Sequence, residues 1–402
     1  MIGPPSQHHF DVCARICGGA IAALLVALLA GCSTAGDLRA APREAIVEGG
    51  GSATLRTRQC VNYFLLEATI NDKGPFTLLI DTGANQTVLS PKAADRLADD
   101  ARPAAAYATG SQGRTQRISS FVRVRSLRAG PLELRDFDAV TIELTRVQAA
   151  LGTRLDGILG YPAFSRLLLT LDYPARQVRV SPGELPDEDG KLIIPLTSWD
   201  RPNVEAVMAG RRRIFLLDSG KSGGVSVTRF DDFPFESPPA DVSTGVAVGG
   251  GFVRRMGRLN GDIDIGAIRL RRPVIENSDS SNLIGAEAMD GFAVTFDQQN
   301  QRVRFEPAAG TVVQFPPVRG IGVGFGYEDN AWTVSHVFDG TPAQLAGLVE
   351  GDRVVRVGGR RLSDLSCRRT SDLFQGEETL QLDVVRSRKW MRFDVPVMIV
   401  VP

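Results

Sequence analysis

Residues 76–90 read FTLLIDTGANQTVLS, and residues 214–228 read IFLLDSGKSGGVSVT. Each is an apolar run ending in Asp, a hydroxyl residue and Gly, followed by a polar turn and a second apolar run. A second pair follows in the same order. Residues 158–180, ILGYPAFSRLLLTLDYPARQVRV, align without a gap on residues 283–305, LIGAEAMDGFAVTFDQQNQRVRF. Gly160 falls on Gly285, Thr170-Leu171-Asp172 on Thr295-Phe296-Asp297, and Val178-Arg179 on Val303-Arg304. Two matched blocks in one order indicate a duplicated lobe.

The stretches between the blocks alternate. RISSFVRVRSL (117–127), FDAVTIEL (137–144) and FVRRMGRLNGDIDIGAIRLRRPVI (252–275) have the period near two of half-buried strands. Helix is scarce: PKAADRLA (91–98) and short runs after Gly160 and Gly285 are the best candidates. Forty-two Gly and 23 Pro supply many turns. The sequence therefore predicts a mainly β chain, with lobes over 53–182 and 190–308 joined by SPGELPDEDG (181–190). The length of 402 residues leaves room for one further domain.

Composition narrows the chemistry. Lys+Arg and Asp+Glu are both 46, so no large basic field points to nucleic acid. Two of the three His, His8 and His9, lie in the first ten residues, leaving His336 for the body of the chain. No Cys/His cluster has metal-ligand spacing, so no metal and no cofactor is expected. Any His-dependent triad would have to use His336, and the chemistry is expected to run without imidazole.

The repeated Asp-Thr/Ser-Gly segments resemble the retropepsin-like aspartic proteases, with two lobes in one chain as in pepsin-like enzymes. Leu79-Ile80-Asp81-Thr82-Gly83-Ala84 fits that motif in full, and Leu216-Leu217-Asp218-Ser219-Gly220 fits up to its last position. Asp156-Gly157-Ile158-Leu159-Gly160 and Asn282-Leu283-Ile284-Gly285 resemble the family's second signature. The resemblance implies a β-barrel core in two lobes, with Asp81 and Asp218 as the catalytic pair. Two carboxylates that close share one proton, as aspartic proteases illustrate. Thr82 and Ser219 would bond the opposite loop, while Gly83 and Gly220 let the loops approach. Tyr107, Gly110 and Gly113 mark a candidate flap; Val248 to Phe252 is its equivalent in the second copy. Lys221 departs from the motif, because it stands where the first copy has Ala84. It either modulates Asp218 or points to solvent.

The N-terminal segment GGAIAALLVALLAG (18–31) is too short to span a bilayer and has the size of a signal-peptide core. With Cys32 after Gly31 it resembles the lipobox of bacterial lipoproteins; a plain secretory signal is the alternative. The resemblance implies removal of 1–31, lipidation of Cys32 and a tether over 32–52. It also implies a periplasm-facing place on the cell envelope, and Ser33 leans towards the outer membrane. Cys60 and Cys367 then meet an oxidising compartment, either as a disulfide or as two buried thiols.

Pro316-Pro317 marks a boundary. Residues 319–402 resemble a bacterial PDZ domain. Gly320-Ile321-Gly322-Val323-Gly324 stands for the carboxylate loop, and GTPAQLAGL (340–348) and GDRVVRVGG (351–359) match the pattern that follows. A C-terminal peptide would add to that sheet edge; a domain that merely packs on the core would look the same. The pocket helix is expected within Asp364–Phe374. The combined expectation is a monomeric, lipid-anchored aspartic endopeptidase acting on polypeptides. The alternative is an inactive peptide-binding scaffold of the same fold.

Overall fold

The computed structural model describes residues 38–110, 113–247, 250–328, 331–367 and 373–402. The expected leader over 1–31 and Cys32 lie outside the described residues. The chain is mainly β. Its first sheet runs in the order Glu44–Val47, Leu132–Thr141, Thr87–Leu89, Gly157–Gly160, Lys73–Asp81, Tyr63–Ile70, Thr115–Ala129 and Ala101–Thr109. Thr115–Ala129 also pairs with Leu132–Thr141, which curls the sheet back on itself. Its alternating burial keeps Val122, Val124 and Leu127 inside and Arg125 and Arg128 out.

The second repeat follows the same plan. Arg211–Asp218 pairs in parallel with Leu283–Gly285, as Lys73–Asp81 does with Gly157–Gly160. Its two longest strands are interrupted. Gly250–Arg258 and Ile263–Ile265 replace one continuous strand, and Ile268–Arg271 and Val274–Asn277 replace the other. The second break falls at Arg272-Pro273, where Arg272 takes a positive φ of 42° and Pro offers no N–H to a ladder.

A third sheet joins the repeats. Leu168–Asp172 lies antiparallel to Phe292–Asp297, with Thr170 opposite Thr295. Their hydroxyls hydrogen-bond at 2.9 Å. These two threonines align in the sequence repeat, so the pairing sits on the symmetry axis between the copies. Gln177–Ser181, Arg302–Pro307, Ile193–Pro195 and Ala53–Leu55 complete this sheet.

Helix is as sparse as the sequence indicates. Pro91–Asp95 starts at Ser90, whose hydroxyl accepts from Ala93 N–H. Single turns at Tyr161–Phe164 and Ala286–Met289 follow the two signature glycines. Thr145–Leu151 is a helix that the alternating pattern did not indicate. The expected tether over 32–52 is shortened, because its second half folds. Arg39 exchanges hydrogen bonds with Asp138, and Glu44–Val47 covers the edge of the Leu132–Thr141 strand. An open edge with a buried Val47 beside it is what draws this segment in.

The C-terminal domain has its own core, which includes Ile321, Val334, Leu348, Leu382 and Val395. Its sheet runs Val323–Glu328, Ala331–Val337, Arg353–Val357, Thr379–Arg386 and Lys389–Pro396. Within Asp364–Phe374 the described residues hold the end of a 3-10 turn, Leu362–Leu365, and Leu373 in 3-10 conformation; 368–372 lie outside them. His336 sits at the surface, with Nδ1 2.8 Å from a Glu350 carboxylate oxygen. Arg258 ties the domain to the second repeat by donating to the carbonyls of Arg272, Pro316 and Pro402. A Cys60–Cys367 disulfide ties it to the first.

That bond closes a loop of 307 positions. Chain-entropy reasoning puts the stabilisation at about 6 kcal/mol at most. Cys367→Ser should therefore lower the urea midpoint, and an unreduced digest of the wild type should yield a Cys60–Cys367 cross-linked peptide. Free thiols at both positions would overturn the pairing.

Candidate active site

The two Asp-Thr/Ser-Gly loops meet tip to tip. Thr82 N–H donates to Ser219 Oγ at 3.0 Å, and Ser219 N–H donates to Thr82 Oγ1 at 2.9 Å. Thr82 Oγ1 donates onward to the Leu217 carbonyl at 2.7 Å, and Ser219 Oγ to the Ile80 carbonyl at 2.9 Å. Each hydroxyl thus accepts from the opposite loop and donates to the strand behind it. Both residues are buried, so every polar group has to be satisfied inside the protein.

This interlock brings Asp81 and Asp218 together. Gly83 N–H donates to Asp81 Oδ1 and Gly220 N–H to Asp218 Oδ1, each at 2.8 Å. A Cβ at Gly83 would lie 2.6 Å from the Asp218 carboxyl carbon, and one at Gly220 would lie 2.3 Å from that of Asp81. Only Gly fits at either position. The strands enter these loops because Leu78, Ile80, Phe215 and Leu217 are buried and fix the register.

Both carboxyls are raised above the ordinary carboxylate value, first by burial. For Asp81 the facing Asp218 charge adds to the rise, and its level is well above the usual range. For Asp218 a hydrogen bond from Asp81, the Lys221 charge and the Gly220 N–H oppose it. The two buried carboxyls therefore share one proton and titrate as a unit. Tyr63 lies against Ser222 and feels both carboxyls; burial raises its phenol.

Gly160 and Gly285 pass directly behind the loops. A Cβ at Gly160 would come within 2.4 Å of the Gln86 carbonyl oxygen, and one at Gly285 within 2.2 Å of that of Gly223. Tyr161 N–H then donates to the Ala84 carbonyl, and Ala286 N–H to that of Lys221, both at 2.8 Å. The second signature is thus a backbone brace for the first.

Lys221 points neither to solvent nor into contact with Asp218. Its ammonium forms an ion pair with Glu276. Ser226 Oγ donates to the same carboxylate oxygen at 2.9 Å, and Arg254 Nε to the other at 2.7 Å. Burial and Arg254 pull the Lys221 ammonium down to about 7, while Asp218 and Glu287 favour its charge. Direct contact with Glu276 favours the charged form too. Sequence reading missed Glu276, Arg254 and Tyr63: no motif marks them, and the 55 positions between Lys221 and Glu276 conceal the pair.

The hairpins flanking the loops reach across. In the first, Gly110 N–H donates to the Arg114 carbonyl at 2.8 Å and Gly113 adopts φ 65°. A Cβ on Gly113 would lie 3.8 Å from Asp279 of the second repeat. Tyr107 is 61% exposed, so its ring points outward. In the second hairpin a Cβ on Gly250 would lie 3.0 Å from Arg114 Nη1 and 3.2 Å from Arg146 Nη1 of the first repeat. Residues 111–112 and 248–249 of these turns lie outside the described residues. The loop Gly320–Gly324 lies elsewhere, in the C-terminal domain. There Thr244 of the second hairpin donates to the Phe325 carbonyl at 2.8 Å.

A family model described as aspartyl protease matches residues 66–163. The match covers Asp81, Thr82, Gly83 and Gly160, and it supports an aspartyl-protease-like domain in the first repeat. No curated protein matches the chain.

The raised carboxyl has a consequence for stability. Asp81 binds its proton more tightly folded than unfolded, where the value is about 3.9. The corresponding stability is fully present below that value and is lost as pH rises through the raised folded value. Each unit of rise is worth about 1.4 kcal/mol. Asp81→Asn should therefore melt above the wild type at about pH 7.5, with the gap closing towards about pH 4. A gap independent of pH would contradict the buried pair.

Proposed function

We propose that the chain is a two-lobed aspartic endopeptidase and that Asp81 and Asp218 activate a water between them. The observation that carries this reading is the placement of two buried carboxyls, both raised by burial, across a reciprocal Thr82–Ser219 interlock. Ionised Asp218 accepts a proton from the water as it attacks the scissile carbonyl. Protonated Asp81 hydrogen-bonds the carbonyl oxygen and supports the charge that develops there. The backbone N–H groups of Gly83 and Gly220 keep each carboxyl in place. The aspartyl protease match over 66–163 supports a peptidase class.

The C-terminal domain is read as a PDZ domain that engages substrate or partner C-termini. Its support is the sequence pattern and the place of Val323–Glu328 at the end of its sheet, where Thr244 of the second hairpin already takes the Phe325 carbonyl. Cys32 is read as lipidated, at the periplasmic face of a bacterial envelope. Arg39 docks on Asp138, and it stands seven positions after Cys32. Seven residues span at most about 25 Å. A polypeptide substrate would then be cut close to the membrane surface.

Asp81→Asn and Asp218→Asn should each lower kcat on a peptide library by about 10²–10⁴-fold, the usual worth of acid–base catalysis. Circular dichroism should show both variants folded. The wild-type pH profile should be bell-shaped, active between the two macroscopic steps of the pair. Full turnover by Asp218→Asn would overturn the reading. Saturable peptide binding without turnover by the wild type would favour the inactive scaffold.

A further inference from the structure

Three positions differ together between the two repeats. In register, Ala84, Val88 and Val140 of the first correspond to Lys221, Ser226 and Glu276 of the second. The first set is buried in an apolar cluster. The second set forms a buried ionic cluster around Glu276, whose side chain is 6% exposed. An ammonium beside Asp218 is the substitution most able to disturb a carboxyl pair, and the two accompanying changes supply its partners.

The groups facing Lys221 come from every surrounding element. Glu276 lies on Val274–Asn277, Ser226 on Val225–Val227, Arg254 on Gly250–Arg258, Glu287 on Ala286–Met289, and Asp218 on its own loop. Tyr63 and Glu287 also act on Arg254. Two cations and two carboxylates balance without any contribution from Asp218.

We infer that Glu276 is a positioning residue for the carboxyl pair: it holds the Lys221 ammonium in the Ser226–Glu276–Arg254 cluster and so leaves Asp218 to Asp81. The inference rests on the pair working as proposed above. Without the Glu276 charge, Asp218 is the carboxylate on Lys221's own loop that can take its ammonium. An ammonium in contact with a carboxylate lowers its pKa by about 1–3 units. Asp218 then becomes a weaker base and its share in the proton falls.

The test follows the Asp81 and Asp218 carboxyl carbons by ¹³C NMR across pH, beside the pH profile of kcat. Glu276→Gln should move the pair's titration down by about 1–2 units and lower kcat about tenfold at the wild-type optimum. Adding Lys221→Ala should return the titration to the wild-type position, and Glu276→Asp should keep it there. An unshifted Glu276→Gln titration, or one that Lys221→Ala leaves shifted, overturns the positioning role. The NMR reading needs no turnover: shifted carbons in a chain that cuts no peptide would overturn the proposed activity alone. Should Glu276→Gln not fold, Lys221→Ala by itself decides. With the ammonium held by Glu276 its loss moves the pair by less than about one unit, and a larger rise, as from a contact pair, overturns the inference.

Discussion

The constraint on which the rest of the site depends is the reciprocal pair of hydrogen bonds between Thr82 and Ser219. Each hydroxyl accepts from the opposite loop and donates to the opposite strand. That geometry is possible only if both loops carry a hydroxyl at the same place and no Cβ at the next. It holds two buried carboxyls together, an arrangement that their charges oppose. The surrounding strands supply the force that keeps it closed. Buried Leu78, Ile80, Phe215 and Leu217 fix where each loop begins, and the Thr170–Thr295 pair fixes the axis beneath them. Gly160 and Gly285 then support the loops from behind.

The duplication is close in backbone and unequal in chemistry. The first repeat packs Ala84, Val88 and Val140 where the second holds Lys221, Ser226 and Glu276. An apolar packing and a satisfied ionic cluster can fill equivalent sites, because each leaves few groups unpartnered. The inequality reaches the carboxyls. Asp81 feels the facing Asp218 charge, while Asp218 also feels the Lys221 ammonium.

The C-terminal domain is fastened at several points rather than strung on a linker. The disulfide joins it to the first repeat, Arg258 clamps both of its ends to the second, and Thr244 touches its outer strand. Contact with both repeats places this domain next to the hairpins that flank the carboxyls. The outer strand of this domain and the carboxyl pair are therefore neighbours in space, though 239 positions separate Asp81 from Gly320.

Much of the plan was legible in the residues. Two copies of an apolar strand ending in Asp-Thr/Ser-Gly determined the repeat, the β class and the residues that face one another. Local chemistry sufficed there, because a strand period and a small-residue turn are read within about ten positions. The folded N-terminal stretch Glu44–Val47 and the Thr145–Leu151 helix were not legible; the first exists only because a distant strand edge needs covering. The same holds for the question that Lys221 raised. The sequence placed a cation three residues after Asp218 and left its direction open. Only the tertiary structure supplied Glu276 and Arg254 as its partners and joined Cys60 to Cys367, since both outcomes depend on groups brought together from far along the chain.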